Sequence, residues 1–168
     1  MSGTGRALAV VAALLAAWGA FRWFTTSPEE RVLQAVDAVA ATLSARAADP
    51  LGQVASLGQL RRQLAPDIVI RAGAGAGAEV TGRDAAAGLW QRVRASADAV
   101  RVRLLDPAVV VAGDGQTATV DGVVEATFER GGVPERDVRE VRLTWRLVDG
   151  EWLASGATLV DAVTPPQE

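Results

Sequence analysis

The stretch VRLTWRLVDGEWLASGATLVD, residues 141–161, is the most informative part of the chain. Two runs of alternating apolar and polar residues flank the dipeptide Asp149–Gly150. Asp-Gly between such runs is typical of a two-residue β-hairpin, because both central residues of that turn need positive φ. The turn also sets the predicted register, in which the facing pairs are Leu147 with Trp152, Trp145 with Ala154, and Leu143 with Gly156. Large residues face small ones, which leaves room for indoles or a cavity.

The same period of two extends upstream and predicts three more strand segments. AVRVRLL and AVVVA, separated by Asp106–Pro107, indicate one strand with a bulge on a bent or edge position. TATVDGVVEATFER follows, and the turn GGVPERD leads back to residues 138–148. The register that best combines apolar face and charges pairs Gly122 with Trp145, Glu125 with Arg142, and Asp121 with Arg146. These charges are interpreted as an outer surface that is solvated or faces a partner.

Helical patterns precede the strands. Ser27 is a natural N-cap and Glu30 completes a capping box, so a first helix is predicted over residues 28–47. A second helix restarts at Asp49–Pro50 and stops at Pro66, and the short strand DIVIR follows it. GRDAAAGLWQRVRAS, residues 82–96, predicts a third helix with Trp90 on its buried side.

This order of elements predicts an α+β fold, in which a curved, mostly antiparallel sheet wraps three helices and is preceded by one N-terminal hydrophobic helix. Such a sheet forms a cone with an open end, and therefore a pocket. The run GAGAGAE, residues 73–79, contains no phosphate-loop spacing and no lysine. It is interpreted as a mobile rim over the mouth of the cone.

The first residues form a separate segment. The apolar run from Ala7 to Phe24 has Arg6 before it and aromatic residues at its end, as expected of a single membrane helix with the N-terminus inside. A signal peptide cleaved near Gly19 or Ala20 and a buried core helix are the alternatives. The predicted organisation is an anchor or signal segment at 1–26, one domain at 27–163, and a disordered tail at 164–168. The domain is expected outside the cytoplasm, tethered to the membrane or secreted after cleavage.

Composition excludes several kinds of chemistry. The chain has no Cys, His or Tyr, and arginine supplies all of its basic side chains. Thiol nucleophiles, disulfides, histidine bases and lysine Schiff bases are therefore excluded. The net charge of −3 argues against nucleic-acid binding. No metal and no cofactor is expected.

Three phrases carry a resemblance to a known superfamily: LRRQLAPDIVI, VTGRDAAAGLWQRV and the closing hairpin. With them the chain resembles the nuclear transport factor 2-like superfamily, the cone fold of SnoaL-like and ketosteroid-isomerase-like proteins. The resemblance implies a carboxylate base just after the first strand, but Ala72 and Gly73 stand there. It also implies an oxyanion-binding tyrosine or a His-Asp pair, and the chain has neither Tyr nor His.

The predicted site is therefore a ligand pocket without catalytic residues, lined by Trp90, Phe128, Trp145, Trp152 and Asp161. Two functions stay open. The first is a non-catalytic, membrane-tethered domain that binds a partner protein of a membrane complex or a small apolar ligand. The alternative is a small isomerase, cyclase or hydratase that acts on an apolar substrate, with Asp84 or Asp161 as its acid or base. A homodimer through the outer sheet face, with arginines paired to acids of a second copy, is a further hypothesis.

Overall fold

The computed structural model describes residues 26–44, 50–73 and 78–160. Predictions about the N-terminal segment, about residues 74–77 of the rim predicted over 73–79, and about the tail fall outside these residues. None of the helices in the described ranges is both long enough and apolar enough to cross a membrane.

Three helices form one layer of the domain. They are α1 (Pro28–Leu43), α2 (Pro50–Gln63) and α3 (Arg83–Ala95). The predicted capping box begins α1, since Ser27 Oγ accepts from Glu30 N at 3.1 Å and Glu30 Oε2 accepts from Ser27 N at 3.3 Å. The helix ends at Leu43, and the rest of its predicted last turn lies outside the described residues. Ser44 bonds the backbone N–H and C=O of Val102, which fixes the end of α1 to a strand edge.

Six strands form a single curved sheet in the order β2-β1-β6-β5-β4-β3. Their bounds are β1 (Leu64–Ala72), β2 (Ala78–Thr81), β3 (Ala99–Val111), β4 (Thr117–Arg130), β5 (Val133–Val148) and β6 (Glu151–Leu159). Every neighbouring pair is antiparallel except β1 with β6. The predicted α+β class, with a mostly antiparallel sheet on three helices, is confirmed.

The start of β1 corrects the predicted end of the second helix. The helix ends at Gln63, and Pro66 lies inside the strand rather than at a helix terminus. The residue before a proline is pushed into extended conformations, so extended structure begins ahead of the ring. β2 is absent from the sequence prediction, because its four residues show no clear period. Its first two residues, Ala78 and Glu79, pair with β1, so the predicted rim over residues 73–79 is wrong at its end.

The closing hairpin confirms two of the three predicted pairs. Leu147 faces Trp152 and Trp145 faces Ala154 across the turn at Asp149–Gly150. The third pair is wrong, because a bulge after Ala154 moves Gly156 opposite Thr144. A bulge adds one residue to one strand and shifts all later pairs.

The predicted register between β4 and β5 is wrong by four residues. Ala118, not Gly122, faces Trp145, and Asp121 faces Arg142. The cause is the tight turn at Gly131–Gly132, where both residues have positive φ, so β5 begins at residue 133 instead of 138. A shift by an even number of residues keeps each side chain on its face, so the apolar pattern could not detect it.

The predicted bulge in β3 is confirmed. Its register against β4 shifts between Leu105 and Ala108, and β3 is an edge strand of the sheet. Gly122 lies opposite the bulge, where an added Cβ would lie 3.0 Å from both Leu104 Cδ1 and the Leu105 carbonyl oxygen. Glycine at this position therefore permits the close approach of the two strands.

The core lies between the helices and the inner face of the sheet. Its fully or nearly buried members include Val32 and Val36 of α1 and Val120 of β4. The remainder are Leu60, Leu64, Ile68, Ala86, Ala118, Trp145, Trp152 and Ala154. Thr42 is the one buried polar residue among those described, and its hydroxyl donates to the Ala38 carbonyl at 2.9 Å.

Candidate functional site

Two tryptophans from the closing hairpin form the centre of the inner wall. Trp145 is 2% exposed and Trp152 is 7% exposed, and both belong to the core cluster. Ala118 and Ala154 flank Trp145 on the neighbouring strands, so small residues accommodate the large ring. Both indole Nε1 atoms are buried and have no hydrogen-bond partner within the described part of the chain. Buried N–H groups are rarely left unpaired, so these two donors mark the wall as unusual.

Trp152 also borders a groove of about 370 Å³ between α1, α2 and the β5–β6 turn. Its polar lining includes Gln63, whose Oε1 is buried without a hydrogen-bond partner in the described residues. Two residues that line this groove therefore have buried polar atoms without a partner in the described part of the chain: Gln63 with the acceptor Oε1 and Trp152 with the donor Nε1. No pattern in the sequence singles out Gln63, because it ends a helix whose polar and apolar residues show little segregation.

Trp90 lies on α3. It packs against the core and also lines a groove of about 280 Å³ between α2 and α3, called here the α2–α3 groove. The other lining residues are Gln53, Ser56, Leu57, Gln91, Arg94 and Ala95. Trp90 and Trp152 therefore border two different grooves.

Phe128 lies near the far end of β4, partly buried opposite Val100. The guanidinium carbon of Arg130 lies 5.8 Å from the centroid of its ring. Asp161, the fifth predicted pocket residue, lies outside the described residues. Contact of these five side chains with a common ligand stays a prediction.

Asp84, a predicted acid or base, and four other carboxylates of the domain all lie outside the core, and Glu125 is the least exposed of those in ion pairs at 17%. Asp84 is 84% exposed at the start of α3 and pairs with Arg61 at 2.9 Å. Asp121 pairs with Arg142 at 2.7 Å, and Glu125 pairs with Arg136. Asp98 Oδ2 accepts from the Gly131 amide at 2.7 Å, and Asp106 forms part of the bulge with a φ of 49°. None of these five carboxylates lies in the core.

The shifted pKa values also belong to surface ion pairs. Arg146 donates to Asp67 at 2.6 Å, and this hydrogen bond lowers the pKa of Asp67 below its ordinary value. The same bond raises the pKa of Arg146, and the hydrogen bond from Arg142 to Asp121 raises the pKa of Arg142. All of these groups are exposed, so the shifted pKa values reflect ion pairs on the outer surface and do not indicate a catalytic centre. The predicted pairs of Arg146 with Asp121 and of Arg142 with Glu125 are wrong. The observed register places Thr117 opposite Arg146 and Asp121 opposite Arg142, and Arg146 pairs with Asp67 of β1.

Metal binding finds no support in this part of the chain. Over residues 26–44, 50–73 and 78–160, no three acidic residues come together as a metal site would require. Carboxylates alone could supply charged side-chain ligands here, because the chain has neither His nor Cys.

The architecture matches solved structures of one class. An NTF2-like protein with a cystatin-like fold from Novosphingobium aromaticivorans is 19% identical, with a TM-score of 0.56 over 80% of this chain and 87% of that one. A candidate dehydratase of the NTF2-like family from Streptomyces avermitilis is 13% identical, with a TM-score of 0.66 over 82% of this chain and 97% of that one. Aln2 from a Streptomyces species is 16% identical, with a TM-score of 0.63 over 77% and 87%. The curved sheet on three helices therefore has the nuclear transport factor 2-like cone fold.

The sequence also shows the family to which the chain belongs. The model of the SnoaL-like domain matches residues 55–158, more than half of the 168 residues. The chain belongs to the SnoaL-like domain family. None of the curated proteins matches it. The fold and the family are thereby established. Because this fold hosts many unrelated functions, the function has to be inferred from the site.

Proposed function

We propose that this protein is a membrane-tethered, extracytoplasmic SnoaL-like domain that binds a partner protein or a small apolar ligand and catalyses no reaction. The observation that carries the proposal is the chemistry of the interior. Indoles and aliphatic side chains line it, and no titratable side chain is buried among the residues that the structure describes. General acid–base catalysis needs such a group within hydrogen-bond reach of the substrate.

The two unpaired indole donors support a ligand rather than an inert core. Trp145 and Trp152 each place a buried N–H in an apolar wall. A molecule that is mostly apolar and carries a carbonyl or hydroxyl oxygen would satisfy such a donor while the rest of its surface leaves water. Ligand pockets commonly combine an apolar lining with a few polar groups of this kind.

The alternative is an isomerase, cyclase or hydratase. Asp84 no longer qualifies as its acid or base, because it is exposed and paired with Arg61. Asp161 would then have to perform the proton transfer. Its replacement by asparagine removes the titratable group with almost no change in size, so Asp161→Asn separates the two functions directly.

The tether is supported by the order of elements. The predicted apolar segment ends at Phe24, and the capping box at Ser27 begins the folded domain directly after it. The length and the aromatic end of the segment match a single membrane helix. The sequence therefore leaves only a very short connection between membrane and domain.

Membrane fractionation of the full-length protein tests the tether. We expect the protein to stay in the pellet at alkaline pH and to begin at Met1 or Ser2 by intact mass. Leu14→Arg should move it to the soluble fraction, since a central arginine costs about 2.5–3.5 kcal/mol on insertion. Leu14→Ala is the matched control and should stay in the pellet. A mature protein that begins after Gly19 or Ala20 would instead establish secretion after cleavage.

Binding is tested on the detergent-extracted, full-length protein by native mass spectrometry. The proposal expects a co-purified partner chain or an apolar small molecule, released when the protein unfolds. Free monomer without any bound species, from membranes of its own host, would refute binding.

A further inference from the structure

Among the described residues that line the α2–α3 groove, Arg94 is the one with a charged side chain. It projects from the last turn of α3, and the other lining groups are neutral: two glutamines, a serine, an alanine, Leu57 and Trp90. None of these lining residues carries a carboxylate. The groove therefore has a positive charge that these walls do not neutralise.

Arg94 differs from the paired arginines of this protein. Arg61, Arg142 and Arg146 each contact a carboxylate at 2.6–2.9 Å. Arg94 has no ion pair among the described residues, although it is partly buried and its Nη2 atom is fully buried without a hydrogen-bond partner there. A buried donor on a charged group is costly when it is left unpaired. The rest of the Arg94 side chain is only partly buried and lines the groove, so a small rotation of the guanidinium would bring this donor to an acceptor there and remove that cost.

An apolar wall lies beside this charge. Trp90 precedes Arg94 by four residues on α3, so the two side chains lie on the same face of the helix. The indole is only partly buried by the core, and Leu57 of α2 lines the same groove. A planar ring can pack on the indole while its acidic group meets the guanidinium, which favours carboxylates through paired N–H donors.

We propose that the α2–α3 groove binds a small aromatic carboxylate, with the carboxylate on Arg94 and the ring on Trp90. Its volume of about 280 Å³ lies just below the usual range for ligand pockets of about 300–1,000 Å³, which indicates a small ligand with one ring. The groove lies between helices rather than on the sheet's inner wall. The inference is therefore independent of the proposed function, and either can fail alone.

Isothermal titration of the full-length protein in a nonionic detergent tests the proposal. Phenylacetate is the probe, and phenylacetamide is its neutral counterpart of nearly equal shape. We expect phenylacetate to bind at least about tenfold more tightly, and its advantage to shrink in high salt. Equal affinity of the two probes, or no binding of phenylacetate at millimolar concentration, would overturn the proposal and leave water as the partner of Arg94.

Variants then locate the site. Arg94→Gln should weaken phenylacetate binding about tenfold and leave phenylacetamide unchanged, and Arg94→Lys should restore part of the loss. Arg92→Gln is the matched control, because Arg92 is exposed on the same helix and does not line the groove. Circular dichroism establishes that each variant folds. Equal losses of phenylacetate affinity in Arg94→Gln and Arg92→Gln would overturn the assignment. If a variant fails to fold, the comparison of the two probes on the unaltered protein still tests the proposal.

Discussion

Replacement of Trp145 by phenylalanine or alanine tests the inner wall most sharply. The side chain is 2% exposed, and its Nε1 has no partner in the described structure. Trp145→Ala removes the whole ring from the core, which should lower the free energy of unfolding by about 3–5 kcal/mol. Trp145→Phe keeps most of the apolar ring and removes only the unpaired donor.

Two opposing terms decide the effect of phenylalanine. The smaller ring loses about 1 kcal/mol of apolar transfer free energy, and a cavity of about 40 Å³ costs about 1 kcal/mol more, at about 24 cal/mol per Å³. Removal of a buried N–H without a partner returns about 1–3 kcal/mol. We therefore expect the stability of Trp145→Phe to lie within about 1 kcal/mol of that of the original protein.

Urea denaturation followed by far-ultraviolet circular dichroism measures both variants on the full-length protein. The slope of the transition should be the same for all three proteins, so that midpoints report stability alone. A loss of about 3 kcal/mol or more in Trp145→Phe, equal to that in Trp145→Ala, would refute the reasoning. It would show that the indole N–H makes a strong hydrogen bond in the folded protein.

Three other perturbations give distinct outcomes. Ser27→Ala removes the capping box and should lower the free energy of unfolding by about 1 kcal/mol in urea, whereas an unchanged midpoint would contradict the cap. Gly156→Ala places a Cβ 2.6 Å from Thr144 Oγ1 and should lower the free energy of unfolding, followed by thermal melting, by about 1–3 kcal/mol. The double variant with Thr144→Ala should recover most of this loss, whereas additive losses would disprove the contact. Carboxyl ¹³C NMR should give Asp67 a pKa below its ordinary value of 3.8, and Arg146→Gln should raise that pKa. Because the pKa of Asp67 is lowered in the folded protein, the ion pair stabilises the fold above pH 3.8. This contribution disappears as the pH falls through the lowered pKa.

Much of the fold follows from local patterns in the sequence. The Asp149–Gly150 turn, the Ser27 cap and the interruption at Asp106–Pro107 each have a short-range physical cause, and each lies where the sequence predicts it. Strand pairing is a longer-range property. A four-residue change between β4 and β5 keeps every apolar residue on its face, so only the tight Gly131–Gly132 turn decides between the registers.

The candidate site is harder to predict from the sequence than the fold. The inward direction of Trp145 and Trp152 follows from strand alternation, and both are buried as core residues. The groove at Arg94 depends on how α2 and α3 pack against each other, which no single helix pattern contains. The spacing of four residues between Trp90 and Arg94 is visible in the sequence, but an arginine in the last turn of a helix is usually explained by the helix dipole.

The chemical fate of the bound molecule tests the central claim most directly. The species that co-purifies with the full-length protein would be extracted, added back to fresh protein, and followed by liquid chromatography and mass spectrometry. A binding domain with an apolar interior should return the molecule unchanged, with equal retention by the original protein and by Asp161→Asn. Conversion to a new species by the original protein, abolished in Asp161→Asn while the molecule still binds, would contradict the account and establish an enzyme.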